Sequence, residues 1–417
     1  MVDRGGARRA DVLVVGGAVA AVGEGLEDGS AHVLDCGGCW VGPGLIDLHT
    51  HLRQPGREEA ETVETGGRAA ALGGYTTVVA MPNTTPPIDS AGVVREVLAL
   101  AASALCRVEV SGAITVGRVG ERLAPMAELA DLGVRLFTDD GTGVQDGRLM
   151  RRALEYSLPL GVVLAQHCED ESMACGGVMH EGAWSSRMGV PGQPAESEEL
   201  MVMRDITLAR LTGARVHFQH LSTARSVAMV REAKAAGLRV TCEATPHHLT
   251  LTDEACAGFD PVYRVNPPLR PAGDRDAVRA GLLDGAIDAV ATDHAPHDQE
   301  AKEQPFDQAP PGMLGLETAM ALALGQLGLE GDPQRLFALL SWQPATVLDL
   351  PTAHGRVGPG HLADLCVVDP AQRWVVDPSR LASRSRNTPY AGMELRGRVR
   401  HTVLGGEPVV VDQEAQR

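Results

Sequence analysis

The chain contains few lysines and no long apolar run, and both shortages limit what it can be. Only Lys234 and Lys302 are lysines among 37 basic residues, against 54 acidic ones, for a formal net charge of -17. A nucleic-acid binder normally carries a basic face, so this balance argues against a nucleic-acid partner. No apolar run reaches the roughly 18 residues of a membrane span, so we expect no membrane partner either.

The eight cysteines are scattered and do not suggest a metal-binding set. Cys36 and Cys39 make a single C-x-x-C without a second pair at zinc-finger spacing, so we expect them to be structural. The N-terminus lacks the basic-then-apolar pattern of a secretory signal, which favours a cytoplasmic protein with reduced thiols. Residues 1–12 read like the second part of a longer opening. We expect either an upstream translation start or an incomplete small domain.

Hydrophobic periodicity separates the middle of the chain from its two similar ends. From about Gly44, short apolar strands alternate with amphipathic helices; the strand in RVHFQHLS, for example, precedes the helix in TARSVAMVREAKAAG. Such alternation predicts a parallel sheet. Both ends carry β-branched runs and Gly-Gly turns instead. We therefore expect an α/β fold: a TIM-type (β/α)8 barrel over residues 45–354 and a small β domain from residues 1–44 and 355–417.

Residues that can bind a metal stand at the carboxyl ends of several predicted strands. His49 and His51 follow an apolar run two residues apart, so strand parity points both side chains the same way. Other apolar strands end in Asp139 and Asp140, in His167, in His220 and in Asp293. Barrel active sites lie at these strand ends, and imidazole and carboxylate both bind zinc. The sequence therefore predicts a metal site.

Three other histidines are expected to lie outside the set of metal ligands. His217 points away from His220 by strand parity, so we expect a structural role for it. His247 and His248 follow a proline, and we expect at most a supporting role from one of them.

Longer segments carry a resemblance to a known family. The order H-x-H, Asp, His, His, Asp resembles the amidohydrolase superfamily. Longer segments resemble bacterial class I dihydroorotases, and the similarity covers nearly the whole chain. These segments are GLIDLHTHLRQPG, GGYTTVVAMPNTTP, FTDDGTGVQ, AQHCED, TPHHLTLTDE, NPPLR and ATDHAPH. The resemblance implies zinc-dependent, reversible cyclisation of N-carbamoyl-L-aspartate to L-dihydroorotate plus water, in de novo pyrimidine (UMP) biosynthesis.

The same resemblance implies a set of metal ligands for one or two zinc ions per subunit. The implied ligands are His49 and His51 on one ion, His167 and His220 on the other, and Asp140 as a bridge if both are bound. Asp293 would contact the first ion and act as catalytic acid and base. Related hydantoinases, allantoinases and some dihydroorotases bridge their metals with a carboxylated lysine. Arg135 lies near where that lysine is expected and cannot replace it, so a carboxylate bridge is favoured.

Because the chain carries a large net negative charge, an anionic substrate would be repelled at long range. It therefore needs a local group of cationic side chains to bind. Strand parity aims Arg53 at the same mouth as His51, and its planar fork matches a carboxylate. The resemblance implies that His51 contacts the substrate. It also implies that Arg53, Asn83 and His297 bind the substrate carboxylate. The ring edge would be bound by Asn266 and by the backbone of Pro311 and Gly312. Pro311 stands where an aromatic residue is expected. We expect the polar loop 298–312 to be a mobile flap.

Two alternative functions remain open on the sequence. A hydantoinase- or allantoinase-type cyclic amidase would share the barrel and the zinc, but the carboxylate-binding set and the missing lysine disfavour it. A catalytically inactive dihydroorotase-like subunit that scaffolds aspartate transcarbamoylase would typically have lost metal ligands, and every expected ligand is present. An active enzyme that associates with the transcarbamoylase is a further expectation, as is a homo-oligomer.

Overall fold

The middle of the chain forms a closed barrel in the computed structural model, which describes residues 1–26, 28–29, 31–350 and 355–416. Within these residues the barrel has eight parallel strands: β1 Leu45–Thr50, β2 Tyr75–Ala80, β3 Arg107–Val110, β4 Leu136–Phe137, β5 Val163–Gln166, β6 Val216–Phe218, β7 Val240–Ala244 and β8 Ala289–Val290. Parallel bridges from Gly112 to Phe137 and from Thr50 to His294 join the two groups of strands and close the ring. The predicted barrel is confirmed.

One long helix follows each barrel strand. The helices are α1 Val63–Leu72, α2 Ala91–Ala101, α3 Met126–Asp131, α4 Gly147–Leu160, α5 Glu196–Thr212, α6 Ala224–Ala235, α7 Ala272–Asp284 and α8 Ala319–Gln326. Local chemistry sets several of their ends. Thr223 caps α6 by accepting from the Ser226 N–H, and α5 stops at Gly213, which takes the left-handed conformation with φ of 73°. Both boundaries follow from the sequence.

Shorter elements fill the connections between the long ones. The short helices are Glu171–Ala174, Ala183–Met188, Pro246–Thr250, Gln299–Lys302, Pro333–Phe337 and Gln343–Val347, with 3-10 turns at Val116–Arg118, Asp253–Gly258, Pro261–Tyr263 and Pro378–Arg380 and a π turn at Ala338–Trp342. Two small strands, Met179–His180 and Gly192–Gln193, pair in parallel above the barrel strands. Most of these elements follow the carboxyl ends of barrel strands, where they shape the mouth.

Strands from both chain ends form one antiparallel sheet beside the barrel. Its strands are Trp40–Pro43, Leu365–Val375, Glu394–Leu404, Glu407–Val411 and Glu414–Ala415. Two hairpins precede it, Val2–Asp3 with Gly6–Ala7 and Asp11–Val15 with Ala18–Gly23 around a Gly-Gly turn. This sheet supports the proposed small domain, whose exact bounds stay a proposal. The predicted barrel end at residue 354 lies outside the described residues.

Residues 376–393 leave this sheet and return to the barrel. The segment joins the two long strands Leu365–Val375 and Glu394–Leu404, and it is held by Glu317, whose carboxylate accepts from the Ala382 N–H at 2.8 Å. Further along, the Asn387 carbonyl accepts from the Leu314 N–H at 3.2 Å. The C-terminal end is therefore not only a sheet but also part of the barrel mouth.

Among the described residues, no helix is both long and apolar enough to cross a bilayer.

The contact between barrel and sheet generates a prediction about Gly74. Gly74 has φ of 87°, and a β-carbon there would lie 2.5 Å from the sulfur of Cys366 on the sheet. We expect Gly74→Ala to lower the free energy of unfolding by about 1–3 kcal/mol through overpacking. The exposed helical Gly92 has no atom within 4 Å of such a carbon, so Gly92→Ala should be neutral or stabilising. Equal chemical-denaturation midpoints for the two variants would contradict this.

Candidate metal centre and active site

The sequence-predicted metal ligands meet at one end of the barrel. His49 lies on β1 and His51 directly after it, and the other ligands follow β4, β5, β6 and β8 within a few residues; they are Asp140, His167, His220 and Asp293. All six side chains are buried. Each strand runs in the same direction, so their carboxyl ends bring residues from distant parts of the chain to one mouth.

Asp140 lies between two sets of potential ligand atoms. One set is His49, His51 and Asp140, the other is Asp140, His167 and His220, and the atoms of each set lie within 4.8 Å of one another. The first oxygen of Asp140 is 3.1 Å from Nε2 of His49 and 3.7 Å from Nδ1 of His167. A carboxylate shared in this way can bridge two cations.

Asp293 joins the first of these sets. Its Oδ1 lies 3.0 Å from Nε2 of His51 and 3.5 Å from Nε2 of His49. Burial alone would raise the pKa of Asp293, but His49 and His51 lower it below its ordinary value. Asp293 and His220 both have positive φ, 44° and 35°, which non-glycine residues rarely adopt. Backbone strain of this kind concentrates at functional sites.

The chemistry of these residues fits a divalent metal. Nε2 of His49 is buried without a hydrogen-bond partner in the described structure, although two carboxylates face it. Nδ1 of His167 and Nε2 of His220 approach to 2.8 Å, so two ring nitrogens converge beside Asp140. Imidazole nitrogens with carboxylate oxygens are the ligands of zinc and of similar transition metals. Two such cations would satisfy these groups.

A third carboxylate, that of Glu243, orients His49 from the opposite ring nitrogen. Oε1 of Glu243 lies 2.9 Å from Nδ1 of His49, and its Oε2 lies 3.0 Å from Nε2 of His217. Burial raises the pKa of Glu243, but hydrogen bonds from His217 and His49 lower it to about 2. An ionised Glu243 accepts the Nδ1 proton and leaves Nε2 of His49 free to bind metal. The structural role expected of His217 is consistent with its contact with Glu243, which sequence reasoning missed.

The rings of His51 and His167 have similar supports. Nδ1 of His51 lies 2.9 Å from the Asn83 side-chain oxygen, and the Asn83 amide donates to Asp140 at 3.2 Å. Glu169 lies 3.8 Å from Nε2 of His167 and accepts from the Asn266 amide at 2.6 Å. Asn83 and Asn266 were predicted to contact substrate. In this structure they contact metal ligands or their support, so their substrate contacts stay a prediction.

Arg53 is a buried cation beside the metal ligands. Its Nε donates to the Pro296 carbonyl at 3.0 Å, and its Nη2 lies 3.4 Å from Nε2 of His297. No carboxylate of the described residues forms an ion pair with it. Burial, and then Arg57, lower its pKa to about 10, so it stays charged near neutral pH. A buried charge without a partner is costly, which makes this group a ready site for an anion.

His297, Pro311 and Gly312 lie together next to Arg53. Nε2 of His297 donates to the Pro311 carbonyl at 2.8 Å, while burial, followed by Arg53, lowers the His297 pKa to about 2. A neutral His297 therefore adds no second charge. Gly312 has φ of 143°, and a β-carbon there would lie 2.8 Å from the His297 ring. The Gly312 N–H donates to the Arg264 carbonyl, so its predicted contact with the ring edge stays untested.

Sequence comparisons place this site in a known family. A family model described as "Dihydro-orotase-like" matches residues 38–226. Dihydroorotases of Pelotomaculum thermopropionicum and Streptomyces coelicolor are each 49% identical to this chain; the first alignment covers 97% of this chain and 94% of the relative, the second 96% and 95%. The chain belongs to the dihydroorotase family. The candidate ligands of this chain therefore belong to a member of a family of metal-dependent cyclic amide hydrolases.

Solved structures agree with the dihydroorotase barrel. The L-hydantoinase (dihydropyrimidinase) from Arthrobacter aurescens superimposes with a TM-score of 0.87 at 26% identity, covering 100% of this chain and 95% of that protein. The dihydropyrimidinase from Brevibacillus agri has a TM-score of 0.86 at 23% identity, covering 100% and 94%. The second likeness concerns the fold alone. Together they confirm the amidohydrolase barrel with its added sheet.

The two lysines of this dihydroorotase lie away from the metal ligands. Lys234 pairs with Asp288 at 2.6 Å, and Lys302 donates to the carbonyls of Pro261 and Pro310 at 2.9 and 2.8 Å. Neither can bridge metals, so Asp140 is the candidate for that role. Arg135 does not occupy the expected position of a bridging lysine. It precedes β4 at the amino end of that strand, where Nη1 donates to the Asp349 carbonyl.

The histidines after β7 divide as the sequence suggested. His248 lies 2.8 Å from Thr245 Oγ1 and 3.2 Å from the Pro267 carbonyl, so it supports the loop that carries Asn266. The His247 ring is buried, with Nε2 lacking a partner in the described structure. The predicted flap, residues 298–312, is tied through Lys302 to the neighbouring loop. Its mobility stays a prediction.

The shared position of Asp140 predicts how metal content responds to mutation. Wild-type protein loaded with zinc should hold about two ions per chain, and Asp140→Asn should hold at most one, because the bridge loses a charge. The matched control is Asp131→Asn, on the exposed end of α3, which should bind as the wild type does. Metal analysis after gel filtration measures the ratio. Two tightly held ions in Asp140→Asn would contradict the bridge.

Proposed function

We propose that this chain is a zinc-dependent dihydroorotase that interconverts N-carbamoyl-L-aspartate and L-dihydroorotate in pyrimidine biosynthesis. The observation that carries the proposal is the buried, unpaired Arg53 beside two sets of metal ligands that share Asp140. A cyclic amide with a carboxylate needs both parts, because one binds the substrate's charge and the other acts on its amide carbon. The dihydroorotase relatives support the same assignment.

The metal ligands would supply the activation that amide chemistry requires. We propose His49, His51, Asp140 and Asp293 around one zinc ion and Asp140, His167 and His220 around the other. Bound zinc lowers the pKa of a water molecule to about 7 and polarises a carbonyl group. Glu243, Asn83 and Glu169 would keep the imidazole rings in the tautomers and orientations that bind metal.

Asp293 is proposed as the group that moves the proton. Its lowered pKa keeps it ionised near neutral pH, so it can accept a proton from the attacking water. During hydrolysis it would then give that proton to the ring nitrogen as the C–N bond breaks. In ring closure the same carboxylate would take the proton from the attacking nitrogen and give it to the departing hydroxyl of the protonated carboxyl group, which leaves as water.

The substrate carboxylate is proposed to bind at Arg53. The guanidinium is buried and lies 3.4 Å from His297, so a carboxylate entering here would gain a charge-assisted pair that water cannot screen. Asn83 and Asn266, with the backbone of Pro311 and Gly312, would complete the contacts with the carboxylate and the ring edge. Hydantoin and allantoin carry no carboxylate, which disfavours them as substrates.

Two proposals concern the assembly of the protein. We expect a homo-oligomer, and helix α5 supports it because Leu200, Met203 and Leu211 are exposed apolar side chains on that helix. Exposed apolar groups of this kind are typical of surfaces that are covered in an assembly. Association with aspartate transcarbamoylase rests on the family resemblance and stays a prediction.

The proposed role of Asp293 predicts a loss of turnover without loss of the metal centre. Wild-type protein with zinc should hydrolyse dihydroorotate, and Asp293→Asn should lower kcat at least about 100-fold, because general acid–base groups contribute factors of this size. Metal content should stay above one ion per chain. Asp276→Asn, on the exposed face of α7, is the matched control and should leave kcat unchanged.

The same assay distinguishes the alternatives. Wild-type turnover of hydantoin or allantoin instead of dihydroorotate would be consistent with the metal centre but would overturn the substrate assignment. No turnover by zinc-loaded protein, alone or with aspartate transcarbamoylase, would favour the inactive scaffold.

A further inference from the structure

The segment 376–393 contacts three loops of the barrel mouth at once. Ser385 Oγ donates to the Ala60 carbonyl at 2.6 Å, in the loop that follows Arg53. The Leu314 N–H donates to the Asn387 carbonyl in the loop of Gly312. The third loop is 295–297, which follows Asp293. These three loops carry Arg53, His297 and Gly312, the groups proposed for the substrate's carboxylate side.

Asn387 is the residue of this segment that joins two of the loops through its side chain. Its Nδ2 donates to the Ala295 carbonyl at 3.0 Å and to the Gly312 carbonyl at 3.1 Å. Its Oδ1 accepts from the His297 N–H at 3.2 Å. The side chain is buried, with 6% of its surface exposed. The Asn387 amide thus uses both of its N–H donors and its oxygen acceptor. No other side chain of similar size offers two donors and an acceptor.

The stretch that Asn387 holds also fixes Arg53. Asn387 bonds the backbone of Ala295 and of His297, and the carbonyl of Pro296 between them accepts from Arg53 Nε at 3.0 Å. Asn387 therefore sets the position of the guanidinium, the imidazole and the Gly312 loop relative to one another. None of its bonds goes to a proposed metal ligand.

A buried carboxylate of the loop that follows Arg53 also anchors the segment. Glu61 accepts from the Arg384 N–H at 3.0 Å and from the Ser383 hydroxyl, and it lies 3.3 Å from Nε2 of His294. This carboxylate is fully buried. The segment is thus fixed just before Asn387, so the Asn387 amide has a defined position from which to hold the loops.

We propose that Asn387 is a positioning residue for substrate binding, acting through Arg53 and His297 on the substrate's carboxylate. The inference rests on the proposed dihydroorotase function and adds to it a residue from the C-terminal end of the chain. Because the metal ligands are untouched, a change at Asn387 affects capture of the carboxylate more than the chemical step. The small sheet domain then contributes to substrate binding rather than to stability alone.

The test combines Asn387→Asp with Arg53→Met in a double-mutant cycle on dihydroorotate hydrolysis. Asn387→Asp keeps the size and the acceptor but loses both donors. We expect its KM to rise at least about tenfold, because small misplacements of binding groups have large effects, while kcat stays within about threefold. On the Arg53→Met background the same change should raise KM less than about twofold, since both act on one contact.

A matched control lies three residues away. Arg384 has an exposed side chain on the same segment, so Arg384→Ala should leave KM and kcat unchanged. Zinc content and thermal midpoint are measured for every variant. Where Asn387→Asp is poorly folded, Asn387→Ser, which removes the same two donors without adding charge, replaces it in the cycle.

The outcomes separate this proposal from the proposed function. An unchanged KM in a folded, zinc-loaded Asn387 variant would overturn the positioning role, and so would effects of Asn387 and Arg53 that simply multiply. A wild-type enzyme without dihydroorotate hydrolysis would overturn the proposed function, and the positioning role with it.

Discussion

The carboxylate of Asp140 lies between two pairs of imidazole rings, and the geometry of the barrel mouth depends on that contact. Four ring nitrogens and two carboxylates converge in a buried volume. Without a cation, such a group would leave polar atoms unsatisfied, as Nε2 of His49 is. The barrel tolerates this arrangement because each ligand leaves the end of a rigid strand, so the chain does not have to order a loop to form the site.

Around this centre, a second set of polar groups, buried or half-buried, fixes the orientation of the rings. Glu243 holds His49, Asn83 holds His51, and Glu169 lies beside His167. A low local dielectric makes these contacts strong and makes their loss costly. The substrate side is built differently: among the described residues, the guanidinium of Arg53 contacts a carbonyl and a neutral imidazole at hydrogen-bond distance and forms no ion pair. We therefore propose that one half of the mouth binds a metal and the other half binds an anion.

Much of the fold, and the meeting of the candidate ligands at one end of the barrel, could be predicted from the sequence because those signals are local. Strand parity aligns His49 with His51, apolar runs end at His167 and His220, and Thr223 opens its helix as expected. These inferences need only a few adjacent residues. The expected position of Arg135, near the metal ligands, was wrong because sequence alone does not say where a two-residue strand begins.

What could not be predicted comes from residues far apart in sequence. Glu243 bonds His49 across 194 positions, and Asn387 bonds His297 across 90. No local pattern marks such partners, since an Asn in a polar segment or a Glu in a strand has many ordinary explanations. The contacts of the small domain with the barrel could not be predicted for the same reason: segment 376–393 has no apolar period that reveals its contacts with the barrel mouth.

The most direct test of the central contact is a crystal structure of the zinc-loaded protein with anomalous data at the zinc edge. Two zinc peaks are predicted, each about 2.0–2.2 Å from an oxygen of Asp140. His167 should bind through Nδ1 and His220 through Nε2, as their rings already face each other. A single ion that Asp140 does not touch, or two ions bridged by another protein side chain, would contradict the account.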